Sequence, residues 1–395
     1  MTTDWKELES RYYMHVVRRQ PIVIVRGQGT RVWDENGKEY LDFTGGWAVT
    51  NIGHCHPAVV EAITHQANTL MQTSNAYYTI PQLQLAKMLV DNSCLDKVFF
   101  CNSGTEANEG AVKLARKYGR LHLNGAYEVI TALNSFHGRT LAMVAATGQP
   151  HYQQNFLPLA PGFINVEYNN LDAIKDATTA MTCAVMLEPV QGEGGVNVPS
   201  QDYLKNVRDW CDEKGILLIL DEIQTGIGRL GSLFGYQQFR VEPDIMTLAK
   251  GLGDGVPIGA FLANEKAAVF EPGDHGSTYG GNVLTCAAAV AATKVVLEEH
   301  VSAKADTTGR YLRHGLESLK ERHSFITDVR GMGLLLAMEF HDTISATVVG
   351  ECNQEGLLLN AVRPNTVRFM PPLTTTIMEV DQGLERLGRA LERVA

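Results

Sequence analysis

The sequence predicts an α/β protein with a large domain, in which helices flank a mostly parallel sheet, and a smaller α+β domain. Short continuous apolar runs recur between residues 98 and 262. Runs of that length suit strands that are buried on both faces, as in a parallel sheet. Segments with helical spacing separate several of these runs. Beyond residue 306, helical spacing alternates with short strands, which indicates the second domain.

The N-terminal segment, residues 1–50, is expected to contribute to the smaller domain. Strands are predicted at 23–25 and 31–34, on either side of Gly27 and Gly29. The following sequence, 35–38, contains Gly37 and has the composition of a hairpin turn.

Residues 51–305 are predicted to form the large domain. Ser200 is a plausible cap for a helix that carries apolar residues at 203, 204, 207, 210 and 211. A long helix over 285–299 is expected to lead into the small domain, residues 306–395, with strands at 333–339 and 366–370. Six strands are predicted in the large domain, at 98–101, 128–131, 183–187, 216–220, 245–248 and 258–262.

The composition excludes several classes of partner and site. The net charge of −10 disfavours nucleic acid or an anionic membrane as the main partner. No apolar run approaches the 18 residues of a membrane span, and the N-terminus lacks the order of a signal peptide. Seven scattered cysteines without a Cys-x-x-Cys pair indicate reduced thiols in the cytoplasm. No zinc-ligand spacing is present, so no metal is predicted.

Lys250 is the most informative residue for chemistry. It ends an apolar strand, where a buried ammonium would lose its hydration and its pKa would fall. A lysine that reaches the surface with its amine is the simpler interpretation of this segment alone. A second apolar run, however, ends in Asp221. A lysine that forms a Schiff base and an aspartate that meets a pyridinium nitrogen are the pair that pyridoxal phosphate requires.

A helix start follows the predicted strand at 98–101. Ser103 and Glu106 have the spacing of a capping box, and Gly104 and Thr105 lie between them. Free backbone N–H groups at such a start bind anions, including phosphate. An ordinary capped helix is the alternative.

Other candidates lie in the loops after predicted strands. Phe136 could stack on a flat ring, and Arg139 could hold a carboxylate with its planar fork. Packing or surface positions are the alternatives for both, and His137 is expected to have a structural role. Glu193 lies in a glycine-rich loop, and Arg368 lies in a strand whose arginine would ordinarily face solvent. Because ligands of open parallel sheets bind at the carboxyl edge, the joint occurrence predicts a site there.

With these motifs, the chain resembles the class III, fold-type-I pyridoxal-phosphate aminotransferases over essentially its whole length. Within that class it is most similar to acetylornithine aminotransferases, through 74–78, 100–104 and 114–119. The segments that carry the wider resemblance are 33–42, 53–57, 103–108, 136–140, 188–193, 221–226, 248–251, 276–282 and 368–372.

The resemblance implies a role for each cofactor-binding residue. Lys250 would bind the cofactor covalently, and Asp221 would keep the pyridine nitrogen protonated. Gln224 would contact the phenolic oxygen, and Phe136 would stack on the ring. Thr278 would add a hydroxyl from the neighbouring subunit, because such enzymes are homodimers with active sites at the interface. The phosphate would be bound by the helix start, Ser103, Gly104 and Thr105.

The resemblance also implies how substrates bind. Arg139 would bind the carboxylate far from the reacting amine, and Arg368 the near one. Glu193 would pair with Arg368 when the amino donor has no near carboxylate. Trp47 lies where ornithine aminotransferases have a tyrosine, and it could narrow the pocket or pack against the dimer partner.

The expected reaction moves the δ-amino group of N2-acetyl-L-ornithine to 2-oxoglutarate. It would yield N-acetylglutamate semialdehyde and L-glutamate, as in arginine biosynthesis. 4-Aminobutyrate, ornithine and acylated lysine remain alternative donors. A decarboxylase, mutase or racemase of the same fold and a non-catalytic cofactor-binding module are the alternatives from other classes.

Overall fold

A seven-stranded sheet forms the centre of the molecule in the computed structural model, which describes residues 4–394. Its strand order is β4-β10-β9-β8-β7-β5-β6, and β10 alone runs against the others. The strands are β4 (Lys97–Cys101), β5 (Glu128–Ala132), β6 (Phe163–Val166), β7 (Thr182–Leu187), β8 (Leu217–Asp221), β9 (Ile245–Leu248) and β10 (Gly259–Ala263).

The central sheet confirms the predicted fold class. Every residue of β7, β8, β9 and β10 is buried, which explains why these strands appear in the sequence as continuous apolar runs. All six predicted strands are present, with bounds that differ by one residue or so. The sequence analysis missed β6, an edge strand of four residues whose side chains are only half-buried.

Helices cover the sheet and connect its strands. They are α1 (Trp5–Tyr12), α2 (Gly45–Ala48), α3 (Pro57–Thr69), α4 (Ile80–Asp91), α5 (Gly104–His122), α6 (Leu141–Ala146), α7 (Pro150–Gln153), α8 (Leu171–Ala177), α9 (Tyr203–Lys214), α10 (Tyr236–Phe239), α11 (Val283–Glu298), α12 (Val301–Arg322), α13 (Ser345–Gln354) and α14 (Ile377–Glu392). Short 3-10 turns occupy Gln154–Phe156 and Lys250–Leu252. Within the described residues, no helix is both long enough and apolar enough to cross a membrane.

The predicted cap of α9 is wrong. The helix begins at Tyr203 after Asp202, and no side chain bonds its first turn. The Ser200 hydroxyl instead donates to Asn169 Oδ1 at 2.9 Å. The helix ends at Lys214, where Gly215 follows with a left-handed φ of 69° that favours glycine.

Two smaller sheets lie outside the central one. The N-terminal sheet comprises β1 (Ile24–Gln28), β2 (Arg31–Asp34), β3 (Glu39–Asp42) and β13 (Leu357–Leu358), and β13 pairs in parallel with β3. The C-terminal sheet is antiparallel and contains, in order, β11 (Ile326–Met332), β12 (Leu335–Phe340), β15 (Thr366–Phe369) and β14 (Asn360–Arg363). A C-terminal strand therefore completes the N-terminal sheet. The domain boundaries at 50 and 305 stay predictions, and the second lies within α12.

Candidate active site

A cavity of about 350 Å³ lies at the carboxyl edge of the central sheet. It brings together Ser103, Gly104, Thr105, Phe136, Glu193, Asp221, Gln224 and Lys250, all of which the sequence singles out. The other lining residues are Val49, Asn102, His137, Gly138, Glu188, Ile223, Ala249, Gly255, Val256, Pro257 and Ile258.

Lys250 follows the end of β9, from which Ala249 separates it, and its side chain lines the cavity. Its backbone takes a left-handed φ of 40°, which is uncommon for a side chain of this size. Burial lowers the pKa of the Lys250 amine, and the nearby Arg368 lowers it further, while Glu193 acts in the opposite direction. Among the described residues, the amine has no hydrogen-bond acceptor. This position favours a neutral, nucleophilic amine that faces the cavity.

Asp221, the last residue of β8, is fixed by three donors. Asn108 Nδ2 and His137 Nδ1 both lie 2.8 Å from its Oδ2, and the Ile223 N–H donates to its Oδ1 at 3.0 Å. Burial opposes the charged form of His137, but its contact with Asp221 outweighs burial and raises the pKa of His137. His137 thus supports the carboxylate directly.

The start of α5 forms one wall of the cavity. The Ser103 hydroxyl accepts the Glu106 N–H at 3.2 Å, as predicted. Glu106, however, reaches back to the Asn102 N–H at 2.7 Å rather than to that of Ser103, so the capping box is displaced by one residue. A Cβ at Gly104 would lie 2.7 Å from Ile223 Cδ1. The glycine therefore keeps the helix start close to Ile223, with its N–H groups available to an anion.

Glu188 joins two loops behind the cavity. Its carboxyl oxygens accept the N–H groups of Phe136 and Gly192, each at 3.1 Å. Burial raises the pKa of Glu188 to about 7, although the charge of His137 acts to lower it. The sequence analysis noted Glu188 in a motif but gave it no role.

The buried Arg368 forms an ion pair with Glu193, a half-buried residue of the cavity lining. Arg368 Nη2 lies 2.8 Å from Glu193 Oε1, and Arg368 Nη1 donates to Gln224 Oε1 at 3.0 Å. Burial acts to raise the pKa of Glu193, but the positive charge of Arg368 outweighs it and lowers the pKa to about 2. Arg368 is wholly buried, which contradicts the ordinary expectation that a strand arginine faces solvent.

Three predicted residues lie outside the cavity lining of this chain. Arg139 is exposed, with its guanidinium 3.9 Å from the ring centre of Tyr152. Thr278 is also exposed, and its carbonyl accepts from Gln72 at 2.6 Å. Trp47 is 53% exposed and has a φ of 65°. The single chain therefore does not bring these three side chains into the cavity.

The residues present suit pyridoxal phosphate. A half-buried amine without a partner among the described residues, an anion-binding helix start and a buried carboxylate held by two side-chain donors surround one cavity. These groups match the aldehyde, phosphate and pyridine nitrogen of that cofactor. Within the described residues, no cluster of histidine, cysteine or acidic side chains could hold a metal ion.

Comparison with known proteins places the chain among aminotransferases. The acetylornithine aminotransferase of Caldanaerobacter subterraneus subsp. tengcongensis is 50% identical over 387 residues, covering 98% of each chain. The solved ornithine aminotransferase of Toxoplasma gondii ME49 superposes with a TM-score of 0.96 at 35% identity and covers 100% of this chain and 96% of its own. The acetylornithine aminotransferase of Elizabethkingia anophelis superposes with a TM-score of 0.89 at 35% identity, covering 98% of both chains.

The family model for class-III aminotransferases matches residues 12–391, almost the whole chain. With the site geometry and the relatives above, this match confirms the resemblance stated from the sequence. The chain belongs to the class-III aminotransferase family.

Proposed function

We propose that this protein transfers the δ-amino group of N2-acetyl-L-ornithine to 2-oxoglutarate, a step of arginine biosynthesis in the cytoplasm. The family membership carries the enzyme class and the cofactor, pyridoxal phosphate. The observation that carries the donor class is the ion pair between Arg368 and Glu193. The donor itself is inferred from relatives that are named acetylornithine aminotransferases and are 46–50% identical.

Lys250 and Asp221 carry the chemistry in this proposal. When bound, pyridoxal phosphate withdraws electrons from the substrate carbon next to the amine. Lys250 would hold the cofactor through its amine and, when free of it, would move the proton from that carbon. Asp221 would meet the pyridine nitrogen with a carboxylate that hydrogen bonds with Asn108 and His137 hold in place. The start of α5 would hold the phosphate, Phe136 would stack on the ring and Gln224 would contact the phenolic oxygen.

Arg368 recognises the carboxylate next to the reacting carbon of glutamate. When acetylornithine presents its δ-amine, no carboxylate occupies that position. An unpaired positive charge on Arg368 would then attract the far carboxylate of the donor. Glu193 neutralises Arg368 in the present structure at 2.8 Å. It must move aside when glutamate or 2-oxoglutarate binds. One site thereby accepts two substrates of different shape in the two halves of the reaction.

Arg139 binds the far carboxylate, which both acetylornithine and glutamate carry. The guanidinium lies against Tyr152 and 5.2 Å from the Phe136 ring centre, beside the wall of the cavity. Stacking on two rings limits its conformations while leaving its N–H groups to solvent.

The active enzyme is a homodimer in this proposal. Thr278 of one subunit reaches the phosphate site of the other, which accounts for its distance from the cavity of its own chain. Trp47, exposed on a short turn two residues before the cavity-lining Val49, covers the interface or the mouth of the pocket.

Ornithine is the second candidate donor, because the chain superposes closely on an ornithine aminotransferase. Ornithine carries an α-ammonium that acetylornithine lacks, and Trp47 has no hydroxyl to help hold the adjacent carboxylate. We therefore expect ornithine to be the poorer substrate.

A panel of amino donors tests the proposal. Purified holoenzyme is assayed with acetylornithine, ornithine, 4-aminobutyrate and acetyllysine at matched concentrations, with and without 2-oxoglutarate. We expect kcat/KM for acetylornithine to exceed that for ornithine by roughly tenfold or more, since the pocket must reject the charged α-ammonium. We also expect it to exceed that for 4-aminobutyrate and acetyllysine, whose chains differ in length from that of acetylornithine. A preference for another donor contradicts the proposed substrate. Turnover without a keto acid would instead indicate a mutase, racemase or decarboxylase.

A further inference from the structure

Glu193 lies at the tip of a tight loop, residues 191–197, called here the Glu193 loop. Gln191 and Asn197 close it with a pair of backbone hydrogen bonds of 3.1 and 3.0 Å. At the base of the loop, the Gly192 N–H donates to Glu188. The backbone on one side of Glu193 is thus fixed from within the central part of the molecule.

The other side is held by the C-terminal sheet. Arg330 of β11 donates from Nε and Nη2 to the Gly195 carbonyl at 3.0 and 2.8 Å. Arg363 of β14 donates from Nε to the Gly194 carbonyl at 2.5 Å. The two carbonyls that follow Glu193 in the chain therefore each accept hydrogen bonds from an arginine of the C-terminal sheet.

The arginines reach these carbonyls because residue 195 has no side chain. A Cβ on Gly195 would lie 3.2 Å from Arg363 Nε and 3.5 Å from Arg330 Nη2. Gly195 also has a φ of 110°, a conformation that L side chains rarely adopt. The loop backbone and the two guanidinium groups are fitted closely to each other.

Arg363 has a second contact that Arg330 lacks. Its Nη2 donates to Asn134 Oδ1 at 2.7 Å, at the start of the segment that carries Phe136 and Arg139. One planar guanidinium therefore spans two loops, one bearing the acid that faces Arg368 and the other bearing the proposed carboxylate-binding arginine.

The charges of the two arginines are also balanced differently. Arg330 forms ion pairs with Asp328 at 2.8 Å and Glu339 at 2.6 Å. Within residues 4–394, Arg363 has no carboxylate within ion-pair distance, and its Nε and Nη2 donate to uncharged oxygens of the two loops. Its guanidinium is thus engaged by the loops rather than by a neutralising acid.

We propose that Arg363 is a positioning residue that holds the Glu193 loop so that Glu193 meets Arg368, and that it thereby sets the preference between acetylornithine and glutamate. This inference rests on the proposed function and extends it to the specificity of the same site. With the backbone held on both sides, the movement that admits glutamate is confined to the Glu193 side chain.

The test compares Arg363→Gln with the parent enzyme in the two half-reactions, each followed through the absorbance of the bound cofactor. A more mobile Glu193 loop weakens the ion pair between Glu193 and Arg368, which leaves Arg368 more available to the carboxylate of glutamate. We therefore expect the ratio of kcat/KM for acetylornithine to that for glutamate to fall by about tenfold. Affinity of the holoenzyme for glutarate, an unreactive dicarboxylate, is expected to rise in calorimetry. An unchanged ratio with unchanged glutarate affinity overturns the inference.

Two further variants separate geometry from charge and fold. Arg363→Lys keeps the charge but cannot span both loops, so we expect it to behave like Arg363→Gln; a parental ratio in Arg363→Lys overturns the positioning role. Arg313→Gln is the matched control, since Arg313 is exposed on α12 and its ion-pair partner, Glu317, lies on the same helix. This control is expected to leave the ratio and the glutarate affinity unchanged.

A double-mutant cycle completes the design. If Arg363 acts through Glu193, the variant that combines Arg363→Gln with Glu193→Ala should have the same ratio as Glu193→Ala alone. Additive effects overturn the inference. If Glu193→Ala itself leaves the ratio unchanged, the proposed role of Glu193 in substrate choice fails and this inference fails with it. If Glu193→Ala changes the ratio but the Arg363 variants do not, this inference fails while the proposed role of Glu193 stands.

Discussion

At the scale of single residues, two groups of opposite chemistry face the cavity, the buried Asp221 and the half-buried Lys250. Asp221 accepts three hydrogen bonds that stabilise a carboxylate, whereas Lys250 has no acceptor among the described residues and burial lowers its pKa. A carboxylate held by hydrogen-bond donors near an amine with a lowered pKa is the division of roles that this chemistry needs.

His137 provides the sharpest prediction at this scale. Replacing it with leucine removes a hydrogen bond to a buried charge, and we expect kcat to fall by about tenfold to a hundredfold. His137→Asn, whose amide can still donate, should recover part of the loss. His341→Leu, at an exposed histidine, is the control. A parental kcat in steady-state assays of His137→Leu would show that His137 only fills space.

Most of the cavity residues could be predicted from the sequence, because they follow strands that the apolar runs indicate. The contact between His137 and Asp221 could not be predicted, because the two residues are 84 positions apart in the chain and meet only after the sheet has formed. The ion pair of Arg368 and Glu193 was expected from family resemblance alone. The positions of Arg368 and Glu193 in the sequence do not by themselves predict that they pair.

At the scale of elements, the turn α2 is the least predictable feature. Gly45, Gly46, Trp47 and Ala48 all have positive φ, which makes a left-handed turn. Left-handed helical backbone costs roughly 1–2 kcal/mol for each residue with a side chain. The two glycines are its only signal in the sequence. The turn carries Trp47 outward, so its strain coincides with a residue proposed to bear on the substrate pocket or the interface.

The end of β9 shows how loops are tied together around Lys250. Asp254 follows the 3-10 turn Lys250–Leu252 and accepts the Ile52 N–H at 2.9 Å. Burial raises the pKa of Asp254 to about 7, against an ordinary value of 3.8. The folded protein therefore retains a proton on Asp254 in a range where the unfolded chain has released it.

This difference predicts a pH dependence of stability. The contribution of Asp254 is complete below about pH 4 and is lost as the pH rises through about 7. Asp254→Asn removes the titration, so we expect the variant to gain stability relative to the parent between about pH 5 and about pH 8. Denaturant unfolding of the parent and the variant at these two pH values measures the difference in their free energies of unfolding. The exposed Asp209→Asn on α9 should show no such gain; an equal gain there would remove Asp254 as the cause.

Strand and helix types were predictable, and their directions and ends were not. The apolar run at 258–262 indicated a buried strand, but nothing in it shows that β10 runs against its neighbours. Ser200 has the right residue type for a cap, yet its hydroxyl is taken by Asn169 from another segment. Such tertiary competition has no local signature.

At the scale of the whole molecule, the single chain leaves Thr278 exposed and leaves large apolar side chains, among them Tyr77, Tyr78 and Ile80, in solvent. Exposed apolar surface of this kind marks interaction sites. It supports the proposed homodimer, in which the partner would cover this surface and supply Thr278.

Hybrid dimers test the exchange of Thr278. Subunits with Lys250→Ala and subunits with Thr278→Ala are refolded together at limiting pyridoxal phosphate and separated by two tags. If Thr278 serves the neighbouring site, each hybrid has one complete site and should reach about half of the parental activity. Hybrids no more active than the Thr278→Ala dimer would show that Thr278 acts within its own chain or not at all.

Substitution of Lys250 tests the central claim most directly. The account predicts that Lys250→Ala loses the visible absorbance of lysine-bound pyridoxal phosphate and that turnover of acetylornithine with 2-oxoglutarate falls by roughly a thousandfold or more. Lys266→Ala, at a partly exposed lysine, should retain both. If Lys250→Ala keeps both the absorbance and the turnover, Lys250 is not the residue that holds the cofactor, and the account is wrong.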